Sequence, residues 1–217
     1  MTFLRSILNS GEFVKKHKLF PKDFTRLRKL PFAIIFALIL RNSVKSLQLM
    51  LNEFVLQLKI EGVITASAFS QARKKLKHTA FIEINDGLIS IFYKDKKEIK
   101  RIDDLRIIGC DGSTLTLPTT EETKQVFGTR AIHNHTDKEL GEYVRTTFEV
   151  YYDVLNNIAI KTVLSEANKC SETDLAIKSL DSFGGNDLLI YDRAYAGYPF
   201  LVTLNKQEKK YLEHLKF

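Results

Sequence analysis

The sequence predicts an α/β protein, an incomplete mixed sheet with helices on its faces, preceded by an all-α N-terminal domain. Three observations predict it. Apolar residues recur at three- and four-residue steps within the first hundred positions, the mark of amphipathic helices. Beyond a charged stretch at 94–104 (KDKKEIKRIDD) they gather instead in short runs rich in Ile, Val and Tyr, which read as strands. The two halves also differ in charge: residues 1–100 hold 19 Lys and Arg against 8 Asp and Glu, and 101–217 hold 14 against 18.

In the first half, Val44, Leu47, Leu51, Phe54, Val55 and Leu58 mark one helix, with Lys45, Gln48, Glu53 and Gln57 on its other face. Ser43 is its expected N-cap, and Gly62 lies beyond its end. A second helix starts near Thr65 or Ser67 and buries Phe69, Ala72 and Leu76, leaving Gln71, Arg73, Lys74, Lys75 and Lys77 outside. A third is capped by Thr79 and buries Phe81, Ile84, Leu88, Ile91 and Phe92. Three short helices with a basic middle member fit a helix-turn-helix-like module; a plain bundle with a solvated basic face fits the spacing equally. The charged stretch separates this region, 1–100, from a second one, 101–217.

In the second half, Leu105–Cys110 (LRIIGC) reads as a buried strand, followed by Asp111-Gly112-Ser113 and an alternating Thr114–Leu117. Residues 118–142, with Pro118, Gly128 and Gly141, read as a long irregular excursion. Val144–Val154 and Ile158–Leu164 form a hairpin joined through Leu155-Asn156-Asn157. Ser171 and Asp174 can cap a helix running to about Phe183, ended by Gly184-Gly185. Asp187–Tyr191 (DLLIY) is then a further strand, ending at Asp192. Strand, hairpin, helix, strand is the order of a ribonuclease-H-like core.

Composition narrows the classes of function. The longest apolar run, Leu30 to Leu40, is about half of what a bilayer-spanning helix needs. The N-terminus also lacks the uninterrupted apolar segment of a signal peptide, so a cytoplasmic protein without a membrane partner is expected. Cys110 and Cys170 have no metal-ligand spacing and read as reduced, structural thiols. No phosphate-cradling glycine loop occurs, which argues against nucleotide-dependent chemistry. A basic half joined to an acidic one suggests a polyanion partner for the first.

Functional groups gather at the carboxyl ends of strands in open α/β sheets, and Asp111 and Asp192 each follow an apolar run. On neighbouring strands the two carboxylates would enter one crevice, where a divalent cation relieves their repulsion. Mg²⁺ prefers a few carboxylates plus water and phosphate oxygens, and a pair of such ions suits phosphoryl transfer. The alternatives are local: an Asp-Gly turn for Asp111, and a strand-end cap paired with Arg193 for Asp192. Other residues weigh less. His133 and His135 could share one side of a strand but suit a polar loop, Asp153 suits a turn, and Glu166 and Glu172 suit surface or cap positions.

Three stretches resemble transposases of the insertion-sequence-4 type, which belong to the DDE group. Ile107–Pro118 (IIGCDGSTLTLP) looks like the strand of the first aspartate, with its Asp-Gly-Ser and Leu-x-Leu-Pro. Leu188–Tyr195 (LLIYDRAY) is similar to the second, where the family's usual wording is Asp-Arg-Gly-Tyr and this chain has Ala194 for the glycine. Ala68–Phe81 (AFSQARKKLKHTAF) resembles the Ser-x-Ala-Arg-x-Lys-Leu segment of the family's N-terminal region. The resemblance covers roughly residues 30–217 and implies Asp111 and Asp192 as catalytic metal ligands for two Mg²⁺ or Mn²⁺ ions. It further implies that Arg193 and Tyr195 contact phosphate or shape the site, and that Arg73, Lys74, Lys75 and Lys77 contact DNA phosphates.

The implied partner is double-stranded DNA carrying a transposon's terminal inverted repeats, with a homodimer assembled on it. Water would cleave a phosphodiester at the element's end, and the freed 3′-hydroxyl would attack further ones, without a covalent enzyme intermediate. The family places a third acid, a glutamate, in a Tyr-x-x-Arg-x-x-x-Glu-x-x-x-x-x-x-Lys pattern that does not occur here. Glu208 and Glu213 follow Asp192 too soon. A chain truncated before that glutamate, with impaired catalysis, is therefore expected. Two rival readings accompany it: a non-catalytic DNA-binding remnant, and a ribonuclease-H-like nuclease unrelated to transposition.

Overall fold

The computed structural model of the protein describes residues 2–26, 29–41, 44–94, 99–165 and 171–213. The chain divides into two compact units, Met1–Ile91 and Phe92–Phe217. Of the charged stretch between the expected regions, 95–98 lie outside the described residues.

The first unit contains α1 (Thr2–Leu8), α2 (Gly11–His17), α3 (Phe32–Leu40), α4 (Leu47–Gln57), α5 (Ala66–Arg73) and most of α6 (Thr79–Phe92). All nine residues of α3 are apolar, and it packs on two sides. Ile35 and Leu38 join Met50, Leu51, Phe54, Ile64 and Phe69, while Phe32 and Phe36 join Phe13, Ala80 and Ile84. Among the described residues no helix is long and apolar enough to cross a membrane.

Three details depart from the sequence expectation. The first predicted helix begins at Leu47, capped by Ser46, whose side chain accepts from the Leu49 amide. Ser43, the expected cap, lies outside the described residues. With the later start, Val44 is off the helix and fully exposed, and the buried stripe is Met50, Leu51 and Phe54; Leu47 and Leu58 stay exposed. Gln48, expected to face solvent, instead donates to the Ile64 carbonyl and accepts from the Ala66 amide, both at 2.9 Å. It thereby ties α4 to the start of α5. In α6, Ile84 is buried and Phe81 stacks on Phe36 at 4.4 Å, but Leu88 and Ile91 are exposed. Phe36 covers the first turn of this helix and Phe3 packs against Gly87, which leaves Leu88 and Ile91 at the surface.

The second unit is a mixed α/β structure built on a six-stranded sheet. Its strands are β1 (Arg106–Leu117), β2 (Arg130–His133), β3 (Glu139–Asp153), β4 (Ile158–Leu164), β5 (Asp187–Tyr191) and β6 (Lys210–Glu213). The order runs β2-β3-β1-β5-β6, with β4 also on β3. β3 is antiparallel to β1, β2 and β4, whereas β5 is parallel to both β1 and β6. The β3–β4 hairpin forms as predicted, with Asn157 in the left-handed region (φ 55°) of its connection.

Residues 118–142 are more ordered than the composition suggested. They hold α7 (Glu121–Phe127), whose Thr120 cap and Thr123 exchange hydrogen bonds in a capping box, then β2 and the start of β3. The Thr120–Thr123 box was the missed start signal.

α8 (Glu172–Ser179) carries the expected capping box between Ser171 and Asp174. It and α9 (Tyr198–Lys206) flank one face of the sheet. There Ile108, Cys110, Tyr151, Leu189 and Tyr191 pack with Ala176, Leu180, Phe200 and Leu204 in one core.

Candidate functional site

β1 runs straight through Asp111-Gly112-Ser113, so Asp111 sits in mid-strand and not in a turn. β5 is shorter and stops at Tyr191, just before Asp192. The parallel register pairs Ile108 with Leu189 and Gly109 with Ile190. The pairing ends there; Asp111 lies two residues further along β1, and Asp192 two residues further along the chain, just past the end of β5. Side chains alternate across a strand, so Asp111 shares the sheet face of Gly109, and Asp192 borders the same face.

That face forms an open concavity lined by Gly109, Cys110, Asp111, Val150, Tyr152, Val154, Ile190, Tyr191 and Asp192. Gly109 keeps its floor clear, because a Cβ there would meet Val154 Cγ2 at 3.3 Å. Both aspartates are exposed, and no Lys or Arg lines the hollow. Among the described residues, no hydrogen bond or ion pair occupies the Asp111 carboxylate. Asp192 caps the 3₁₀ turn Arg193–Tyr195, its Oδ1 accepting from the Ala194 amide at 2.7 Å. The local alternative for Asp192 is thus partly realised, without a pairing to Arg193, and Oδ2 remains for another ligand.

Two carboxylates against apolar walls, with no protein cation between them, suit a hard divalent ion. They are a partial donor set: among the described residues no group of three His, Cys, Asp or Glu converges.

Beneath this face lies a buried polar cluster that the sequence reading did not pick out. Glu149, in register with Gly112, is fully buried on the α8 side of the sheet. Its Oε2 accepts from Tyr151 Oη at 3.0 Å and its Oε1 from Tyr195 Oη at 3.2 Å. Burial pushes this carboxyl up to about 7, opposed by the two tyrosine hydroxyls and reinforced by the nearby charge of Glu172. Burial also pushes the Cys110 thiol up to about 12, with Glu149 adding to the shift, so this free cysteine is an unreactive packing residue. Gly112 faces the same cluster; a Cβ there would meet Glu172 Cδ at 2.6 Å. Nothing local in the sequence marks this glutamate, because β3 (ELGEYVRTTFEVYYD) mixes charged, polar and apolar residues along its whole length.

Arg193 is exposed, and its guanidinium has no carboxylate partner among the described residues. Tyr195 points inward, 2% exposed. In the first unit Arg73 ends α5 and Lys74 caps it, both exposed. Lys75 lies 4.0 Å from Asp23, and Lys77 reaches the Lys16 carbonyl. These four side chains therefore do not form one helical stripe. His133 ends β2 and pairs with Asp137 at 3.2 Å, while His135 lies in the following turn. Asp153 holds the β3–β4 turn, accepting from Asn156 N, Asn156 Nδ2 and Tyr93 Oη. Glu172 is in the first turn of α8. Glu166 and Cys170 lie outside the described residues.

No protein-family model matches the sequence, and no curated protein matches it either. Two solved structures are similar over 98% of the chain. One is described as the crystal structure of the Mos1 mariner paired end complex with Mn, at 13% identity and a TM-score of 0.32. The other is described as the Mos1 transposase paired-end complex with left transposon end, at 15% identity and a TM-score of 0.33. The chain spans 66% and 65% of the lengths of those two chains.

Proposed function

We propose that this chain is a transposase-type protein of DNA cut-and-paste chemistry, with Asp111 and Asp192 as the divalent-ion ligands of a ribonuclease-H-like core. One observation carries the reading: Asp111 on β1 and Asp192, directly after the neighbouring parallel strand β5, line one concavity. The strand order β4-β3-β1-β5-β6 fits that core, and the Asp-Gly-Ser and Asp-Arg-Ala-Tyr motifs support the insertion-sequence-4-type relationship.

In this reading the aspartates hold Mg²⁺ or Mn²⁺ beside the scissile phosphodiester. When bound, such ions activate the attacking oxygen and stabilise the leaving one. Asp111 offers both carboxylate oxygens and Asp192 offers Oδ2, its other oxygen fixing the turn. Arg193, exposed next to Asp192, contacts a DNA phosphate. The basic first unit is an all-α DNA-binding region that holds the element's ends, with Arg73 and Lys74 as its most accessible phosphate contacts.

A specific observation favours a second reading, a DNA-binding remnant without catalysis: no third carboxylate joins the pair among the described residues. Purified protein with Mg²⁺ or Mn²⁺ and a duplex carrying the element's ends separates the two. Metal-dependent nicking that disappears in Asp192→Asn supports the enzyme, and tight binding without nicking supports the remnant. Neither binding nor nicking overturns both.

A further inference from the structure

The buried Glu149 cluster has no part in the chemistry proposed above, yet it meets both strands that carry the aspartates. Glu149 sits on β3, directly across from Gly112, the residue after Asp111. Its other connection passes beneath β1 to Tyr195, the residue that closes the turn capped by Asp192. Tyr195 is wedged between Tyr191 and Phe200, with ring centroids 5.2 and 6.0 Å away. Its hydroxyl points to Glu149 and stands 4.0 Å from Cys110 Sγ.

A fully buried carboxyl is costly for stability unless its oxygens are hydrogen-bonded, and both oxygens of Glu149 accept from tyrosine hydroxyls. The glutamate therefore does something an apolar residue would not. An inward-facing tyrosine hydroxyl needs a hydrogen-bond partner, and Glu149 supplies it at the point where β5 ends and the chain turns. Without that acceptor, Tyr195 has less reason to stay inward, and the turn that aims Asp192 loses its anchor.

We infer that Glu149 is a positioning residue: by accepting from Tyr195 and Tyr151 it fixes the Arg193–Tyr195 turn and holds Asp192 in the concavity it shares with Asp111. The inference rests on the reading of the two aspartates as a divalent-ion site, and deepens it. Glu149 itself lies on the opposite face of the sheet and touches no ion. Substituting partners that orient metal ligands commonly lowers metal affinity roughly 10–100-fold, and that is the scale expected here.

The test uses the full chain, with Mn²⁺ as the probe, followed by electron paramagnetic resonance of the free ion. Glu149→Leu and Tyr195→Phe each weaken Mn²⁺ binding roughly tenfold with the fold retained, and Glu149→Leu, which leaves the Tyr151 and Tyr195 hydroxyls without their acceptor, also lowers the midpoint of thermal unfolding. Glu149→Gln, which keeps an acceptor oxygen, retains most of the affinity. A second readout needs no metal: exchange of the Ala194 amide, held by Asp192, accelerates in Glu149→Leu and Tyr195→Phe but not in Glu149→Gln. If the wild type binds Mn²⁺, Asp192→Asn abolishes binding, and Glu149→Leu and Tyr195→Phe bind like wild type, the positioning role is overturned and the metal-site reading stands. If the wild type binds no Mn²⁺, the metal-site reading fails and this inference fails with it. Unchanged Ala194 exchange in both variants overturns the anchoring of the turn on its own.

Discussion

Arg106 and Asp187 face each other at the start of the parallel β1–β5 pairing and are joined by two hydrogen bonds, Nε to Oδ1 at 2.6 Å and Nη2 to Oδ2 at 2.9 Å. Asp187 is 3% exposed and its Oδ2 also accepts from the Gly184 amide at 2.8 Å, while the guanidinium lies 4.8 Å above the Tyr93 ring. This clamp sits five residues before Asp111 and five before Asp192. It joins the first pair of the β1–β5 register. A slip of one residue would turn one aspartate to the opposite face.

Removing Asp187 leaves the partly buried Arg106 guanidinium without its carboxylate partner. Asp187→Ala is expected to destabilise the second unit by about 3 kcal/mol, the usual scale for losing one partner of a buried pair. Urea unfolding checks this; a loss within experimental error would contradict it.

The core beneath the site depends on close packing between α8 and the sheet. Leu180, just past α8, is fully buried among Ile108, Tyr151 and Leu189. Leu180→Ala removes that volume at a cost of about 3 kcal/mol, measured by thermal or urea unfolding with DNA absent.

Glu149 gives the second unit a pH dependence of definite sign. Its carboxyl is raised to about 7 from an ordinary 4.5, so the folded state holds the proton more tightly than the unfolded chain. The folded state is therefore favoured below about pH 4.5, and that advantage is lost as pH rises to about 7. The groups facing it are Tyr151, Tyr195, Cys110, Tyr191 and Glu172. The thiol is pushed up to about 12 and the three tyrosines are held far above neutrality by burial, so these four keep their protons across that window. The midpoint of thermal unfolding should fall by a few degrees between about pH 5 and pH 8. Glu149→Gln should remove this part of the profile, and an identical profile in the variant would assign the titration to another group.

DNA binding by the first unit predicts a salt signature. Lys74 is exposed, whereas Lys75 lies beside Asp23. Lys74→Ala should weaken binding to duplex DNA and flatten the slope of log K against log salt by about 0.9. Affinity unchanged at every salt concentration would remove Lys74 from the interface.

The strands of the second unit were readable because their apolar runs are short and bounded by turn residues. The β3–β4 hairpin and the Ser171–Asp174 box followed from local chemistry alone. The two aspartates were visible for the same reason, since each follows such a run. What the pattern hid depends on partners distant in sequence. β3 carries apolar or aromatic residues on both faces, so nothing local marked Glu149 as inward. Tyr195, 46 residues further on, is what makes the buried carboxyl meaningful. In the first unit, periodicity marked the helices, but Val44, Leu88 and Ile91 showed that an apolar residue at helical spacing is buried only where a neighbour covers it. Gln48 showed the converse, a polar residue made internal by the backbone of the next helix.

The central claim is that Asp111 and Asp192 share a divalent ion, and a double-mutant cycle of Mn²⁺ affinity tests it most directly. With wild type, Asp111→Asn, Asp192→Asn and the double variant titrated side by side, each single substitution should remove most of the affinity and the double little more, the non-additivity of groups acting together. Mn²⁺ binding of wild-type strength in the double variant would contradict the account.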